Sequence, residues 1–120
     1  MLPDTRKIFY KCGDVEMIFV MDTAIMTAFG TYKYWEVTPT EAKEYLSKEF
    51  VSAVGHYSTA DFLTGLFGVE IQYNRIQIRM QKGDKAIVIK FLQRLPYNKK
   101  LTREEIASVQ YQLGIMERIE

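Results

Sequence analysis

The chain has almost nothing from which to build a histidine or thiolate metal site. It contains one histidine, His56, and one cysteine, Cys12, and a histidine or thiolate zinc site needs about three or four such ligands. A lone cysteine makes no internal disulfide, which fits a reducing compartment. There is no Walker A run and no dinucleotide glycine fingerprint, and no paired-carboxylate spacing stands out. An excess of one charge is missing too: 16 Lys and Arg against 15 Asp and Glu leave a net charge of +1, where general duplex binders carry a clear basic surplus. No apolar run approaches the roughly 20 residues needed to span a bilayer, and Met1-Leu2-Pro3-Asp4 offers no apolar leader core. These absences predict a cytoplasmic protein without cofactor or metal, and without a membrane or duplex DNA as partner.

What the chain does have is ordinary globular material. It is 120 residues long and 48% hydrophobic, enough for one folded domain. Residues 8–12 carry a weak strand signal, and residues 15–21 are nearly all apolar, as in a strand buried on both faces. Residues 22–30 have no clear period and read as loop or a short helical turn. Residues 31–37 are aromatic and β-branched and read as a strand. Thr38-Pro39-Thr40-Glu41 is a helix start with a capping box and proline in the first turn; Ala42, Tyr45 and Leu46 form its inner face. Residues 50–54 read as a buried strand that stops at Gly55. Ser58 then opens a helix with Asp61 as capping partner, Phe62, Leu63, Leu66 and Phe67 on one face, and Gly68 as C-cap. Ile76, Ile78 and Met80 alternate with Gln77 and Arg79, and Gln81-Lys82-Gly83-Asp84 reads as a hairpin turn into a returning strand over residues 85–92. Thr102 and Glu105 cap a last helix, with Ile106, Val109 and Leu113 facing inward and Gly114 ending it; residues 115–120 would add an edge strand. The pattern predicts an α/β protein, a mixed β-sheet flanked by short helices in a single domain.

The chemistry gathers between residues 53 and 59. A strand, a glycine turn and a helix N-terminus meet within four residues, with His56 at the meeting point. Free helical N–H groups and the helix dipole favour an anion there, and the imidazole adds a group able to transfer a proton. Arginine grips phosphate through two parallel hydrogen bonds. Arg75 follows Asn74 just before a strand, and Arg94 follows Gln93 just after one. Lys90, Arg94, Lys99, Lys100 and Arg103 fall within 14 residues that contain no acid, the make-up of a solubilising loop or of a basic flap over an anionic ligand. Tyr10, Tyr32, Tyr34, Trp35, Tyr57 and Tyr97 are able to stack on bases, although aromatic residues in strands usually serve the core. Cleavage of a phosphodiester by its own 2′-hydroxyl suits such a set. The substrate brings the nucleophile, and the protein holds the backbone in line, neutralises the phosphoryl oxygens and protonates the leaving 5′-oxygen.

Ala53-Val54-Gly55-His56-Tyr57-Ser58-Thr59, then Asn74-Arg75, then Gln93-Arg94-Leu95, together resemble the viral type III anti-CRISPR ring nucleases. The likeness runs from about residue 15 to the end, so that residues 1–14 would be an N-terminal extension to a ring nuclease domain of residues 15–120. It implies a two-fold homodimer that binds cyclic tetra-adenylate, the second messenger of type III CRISPR defence. It also implies metal-independent cleavage to linear di-adenylate ending in a cyclic phosphate. By the same resemblance His56 and Arg94 are catalytic, with His56 the general acid. Gly55, Ser58, Thr59, Asn74, Arg75, Gln93 and Tyr97 contact the substrate. One position departs: Tyr97 stands where studied relatives have an assisting glutamate, and a phenol does not replace a carboxylate as base near neutral pH. Two other expectations stay beside this one: a non-catalytic sponge for the cyclic nucleotide, and a small DNA-binding regulator, which the near-neutral charge and the lack of a recognition helix disfavour.

Overall fold

The computed structural model describes residues 7–9, 16–22, 28–92 and 102–120. In chain order the elements are β1 (Lys7–Phe9), β2 (Ile18–Met21), β3 (Tyr32–Val37), α1 (Pro39–Tyr45), β4 (Phe50–Ala53), α2 (Tyr57–Phe67), β5 (Ile76–Ile78), β6 (Lys85–Phe91), α3 (Arg103–Ser108) and β7 (Tyr111–Arg118). Five strands form one sheet in the order β3-β7-β6-β2-β4, while β1 and β5 pair apart as a two-stranded ribbon. In the large sheet β2 runs parallel to both β4 and β6, and β7 is antiparallel to its neighbours β6 and β3. The result is the mixed α/β sheet that the alternation of strand and helix signals predicts.

The period of two in the strands divides the core between the two faces. On one face Val20, Ile87, Ile89, Leu113 and Ile115 pack with Ala42 of α1, with its C-cap Leu46 and with Ala60, Phe62, Leu63 and Phe67 of α2. On the other, Phe19, Met21, Ala86, Val88 and Met116 pack with Ile78 and Met80. The helices thus cover one face, and the β5 segment covers the other. Phe19 and Val20 are both fully buried, as the unbroken apolar run of β2 requires of a strand covered on both sides.

Three helix ends form as their residues dictate. Thr38 Oγ1 accepts the Glu41 N–H at 3.2 Å while Glu41 Oε1 accepts the Thr38 N–H at 3.1 Å, and Thr102 and Glu105 repeat the exchange at 3.1 Å each way. Gly68 ends α2 at φ 68°, a left-handed conformation that a side chain disfavours.

Other expectations are corrected. The helix after His56 begins at Tyr57, with His56 itself as N-cap and no side-chain cap hydrogen bond; Ser58 and Thr59 lie inside the first turn, each 5% exposed. Their side chains belong to the buried face, so Ser58 cannot be the cap. The Gln81–Asp84 turn is real, closed by the Asp84 N–H to the Gln81 carbonyl at 2.9 Å, yet it joins no hairpin. Residues 86–89 are buried without a break and need a neighbour on each edge, which β2 and β7 supply, whereas β5 pairs with β1 in the other sheet. The last helix stops at Ser108, and Gly114 lies inside β7, an interior strand between β3 and β6. A Cβ on Gly114 would fall 2.5 Å from the Tyr34 ring, so this glycine marks a close approach within the sheet. Of the strand expected over residues 8–12, residues 8 and 9 belong to β1 and residues 10–12 lie outside the described residues.

Asp84 ties the amino-terminal end of the sheet. It is fully buried, and its carboxylate accepts the Met17 N–H at 3.0 Å and the Gln81 N–H at 2.8 Å. Its carbonyl accepts the Arg118 N–H at 3.1 Å, so one residue joins the entry to β2, the turn before β6 and the end of β7.

Candidate functional site

Parallel pairing sets the site. Met21 of β2 lies opposite Ala53 of β4, so the residues that follow each strand emerge side by side at the carboxyl edge of the sheet. Ligands of open α/β sheets bind at such edges. From β2 comes Asp22; from β4 come Val54, Gly55 and His56. Asp22 Oδ2 accepts the Gly55 N–H at 3.1 Å and lies 2.6 Å from His56 Nδ1. The Asp22 side chain is 12% exposed and the His56 ring 54%. A carboxylate accepts hydrogen bonds, so Nδ1 carries the hydrogen in this contact and Nε2 is the nitrogen at the opposite side of the ring.

The backbone of His56 is extended (φ −135°, ψ 132°), and its carbonyl accepts the Ala60 N–H at 3.1 Å, the first hydrogen bond of α2. The three N–H groups before it, on Tyr57, Ser58 and Thr59, have no acceptor within the helix. With the Ser58 and Thr59 side chains buried, what these residues offer an anion is chiefly their backbone N–H groups, in the positive field of the helix start.

The second wall comes from residues 71–75, which run beside β4. Thr64 Oγ1 accepts the Ile71 N–H at 2.9 Å, and Ser52 donates its hydroxyl to the Gln72 carbonyl at 2.6 Å. Val54 and Tyr73 form a parallel bridge. Asn74 donates its side-chain amide to the Ser52 carbonyl at 2.7 Å and its backbone N–H to the Val54 carbonyl at 2.8 Å. Asn74, expected to touch substrate, thus spends its amide on holding this segment. The outcome is to place Arg75 against Gly55: a Cβ on Gly55 would lie 3.4 Å from Arg75 Cγ. One residue before Asn74, Tyr73 stacks on Tyr57 of α2, with ring centroids 4.0 Å apart and planes 12° from parallel. Both rings keep exposed surface, 59% for Tyr57 and 38% for Tyr73.

Gly55, His56, Arg75 and the start of α2 are therefore brought together. Gln93, Arg94 and Tyr97 lie outside the described residues. Strand β6, parallel to β2, ends at Phe91, which meets Phe62 of α2 edge-on at 5.4 Å. Asp22 is the site residue that sequence reasoning missed. Its signal was an acid directly after an all-apolar strand, but its partner stands 34 residues away and is named only by the pairing of β2 with β4. Among the described residues no group of three His, Cys, Asp or Glu side chains is placed to hold a metal ion, and no helix is long and apolar enough to cross a membrane. A groove of about 370 Å³ lined by Trp35, Tyr45, Glu41 and Lys85 includes none of the site residues.

The model of the STIV B116-like family matches residues 18–113. "Uncharacterized protein 26" of Sulfolobus islandicus filamentous virus (isolate Iceland/Hveragerdi) is 39% identical over 107 residues, covering 84% of this chain and 91% of the relative. "Uncharacterized protein YddF" of Bacillus subtilis (strain 168) is 33% identical over 106 residues, covering 86% of this chain and 98% of the relative. The solved structure of B116 of Sulfolobus turreted icosahedral virus superposes with a TM-score of 0.71 at 22% identity, over 85% of this chain and 99% of that one. At that identity the likeness speaks for a shared fold.

Proposed function

The chain belongs to the STIV B116-like family, and from that starting point we propose that it is a metal-independent ring nuclease. In this reading a two-fold homodimer in the cytoplasm binds cyclic tetra-adenylate and cuts it to linear di-adenylate with a cyclic phosphate end, so removing the signal that drives type III CRISPR defence. The observation that carries the proposal is the placing of the sole histidine. His56 sits at the N-terminus of α2, its Nδ1 held 2.6 Å from Asp22 and Arg75 against the neighbouring glycine.

The steps follow from that arrangement. The phosphodiester lies at the start of α2, its oxygens met by backbone N–H groups and by Arg75, with Arg94, which follows β6 in the chain, as a further phosphate contact. The adjacent 2′-hydroxyl, losing its proton to solvent, attacks phosphorus. The bond from phosphorus to the 5′-oxygen breaks, and His56, protonated on both ring nitrogens with Nδ1–H on Asp22, gives that oxygen the proton of Nε2 and is left neutral. The product keeps a 2′,3′-cyclic phosphate. The stacked Tyr57 and Tyr73 offer a flat ring face to an adenine beside the phosphate.

Tyr97, in place of an assisting glutamate, favours a second reading: a sponge that holds the ring without cutting it. Labelled cyclic tetra-adenylate incubated with the protein in chelator separates the two. Linear di-adenylate supports the nuclease, retention of intact ring the sponge, and no interaction overturns both. His56→Ala should slow single-turnover cleavage about 10²–10⁴-fold, the usual cost of losing a general acid, and leave binding largely intact. Cleavage by this variant at the parental rate would refute the role given to His56.

A further inference from the structure

The structure points to Asp22 as the residue that orients His56. We infer that its carboxylate, by accepting the Nδ1 hydrogen, holds the ring in one orientation, from which the ring, once protonated on both nitrogens, gives the leaving oxygen the proton of Nε2; the last clause rests on the ring nuclease reading, whereas the hold on the Nδ1 hydrogen does not.

Three observations carry the inference. One oxygen, Asp22 Oδ2, engages both the Gly55 N–H at 3.1 Å and His56 Nδ1 at 2.6 Å. A single acceptor therefore fixes the backbone before the histidine and the ring itself. Second, the two side chains differ in freedom: that of Asp22 is 12% exposed, that of His56 54%. The more exposed ring is the freer of the two, so the shielded carboxylate is the anchor and the ring the part being held. Third, the anchor and the ring belong to different strands. Asp22 follows Met21 of β2, and Met21 pairs with Ala53 of β4, so the contact is fixed by the register of the sheet. It does not depend on the course of a loop. A hydrogen bond at one imidazole nitrogen decides which nitrogen carries the proton; a carboxylate at Nδ1 demands a donor there.

The alternative role for Asp22 is a brace for the Gly55 amide. Asp22→Ala and Asp22→Asn together separate the roles. Asp22→Ala removes the acceptor, and a neutral ring released from the carboxylate carries its hydrogen mainly on Nε2. In Asp22→Asn the amide oxygen, in the place of Oδ2, accepts both the Gly55 N–H and the Nδ1 hydrogen, so the tautomer is kept. If Asp22 were only a brace, the tautomer would be the same in all three proteins.

Because His56 is the sole histidine, its two ring nitrogens give the only imidazole signals in a nitrogen-15 correlation spectrum of the full chain, recorded where the ring is neutral. The parental protein and Asp22→Asn should show Nδ1–H, and Asp22→Ala should show mainly Nε2–H. Single-turnover cleavage of cyclic tetra-adenylate by Asp22→Ala should then fall, toward the roughly 10²–10⁴-fold that loss of a general acid costs, with affinity for the ring held, and Asp22→Asn should lose less. An Nε2–H signal in the parental protein overturns the inference without recourse to any variant. So does an unchanged tautomer in Asp22→Ala, while a changed tautomer with the parental cleavage rate overturns its last clause. If the parental protein does not cleave the ring at all, the ring nuclease reading fails, while the spectra still decide whether Asp22 holds the tautomer.

Discussion

Asp84→Ala should be among the most damaging single substitutions in this chain, although it lies at the end of the sheet opposite His56. Asp84 is fully buried, with one carboxylate oxygen accepting the Met17 N–H at 3.0 Å and the other the Gln81 N–H at 2.8 Å. A hydrogen bond to a charged group contributes about 1.5–3 kcal/mol, so the two together stabilise the fold by about 3–6 kcal/mol. Relief from burying the carboxylate, and water entering the space left behind, bring the expected loss to the lower end, about 3 kcal/mol. Domains are stable by about 5–15 kcal/mol in total. Urea unfolding is the assay: with a slope of roughly 1–3 kcal/mol per molar, the midpoint should fall by about 1–3 M. Asp84→Asn should give little rescue, because both oxygens accept backbone N–H groups and the new amide would set a donor against one of them. A parental midpoint in either variant would refute the claim that this carboxylate joins β2, β6 and β7.

Arg75→Ala and Arg94→Ala should each weaken binding of cyclic tetra-adenylate by about tenfold or more at low ionic strength, with the loss shrinking as salt screens the attraction; unchanged affinity in titrations of both would return these arginines to the solvated surface. Sedimentation should give a dimer with one ring bound per two chains, since a two-fold assembly presents the same patch twice to a symmetric ligand. Mixed dimers with one His56→Ala subunit should accumulate linear tetra-adenylate, and a monomer that binds one ring per chain and still releases di-adenylate would rule out the shared site.

The elements legible in the sequence were those whose signals are local. Thr38 with Glu41, Thr102 with Glu105, and Gly68 each act within a few residues, and each end forms as its residues dictate. Gly114 shows the limit. A glycine after an apolar run reads as a helix C-cap, yet here it accommodates the Tyr34 ring from the strand next door, and nothing near Gly114 in the chain announces Tyr34. The Gln81–Asp84 turn has correct hairpin chemistry, but the strand after it finds its partners in β2 and β7, one along each edge. His56 was legible because a glycine turn and a helix start flank it. Asp22 was not, because its role exists only once two parallel strands are in register.

The segment that carries Arg75 also guards the molecule against its own kind. Strand β4 is the last in the large sheet, and an open strand edge is a template on which another chain can add itself. Here Asn74 covers two successive outward carbonyls, those of Ser52 and Val54, and Ser52 returns a hydrogen bond to Gln72. The residues that bring an arginine to the site thereby withdraw the edge from other chains. Loosening this segment to retune ligand contacts would carry a second cost, in solubility.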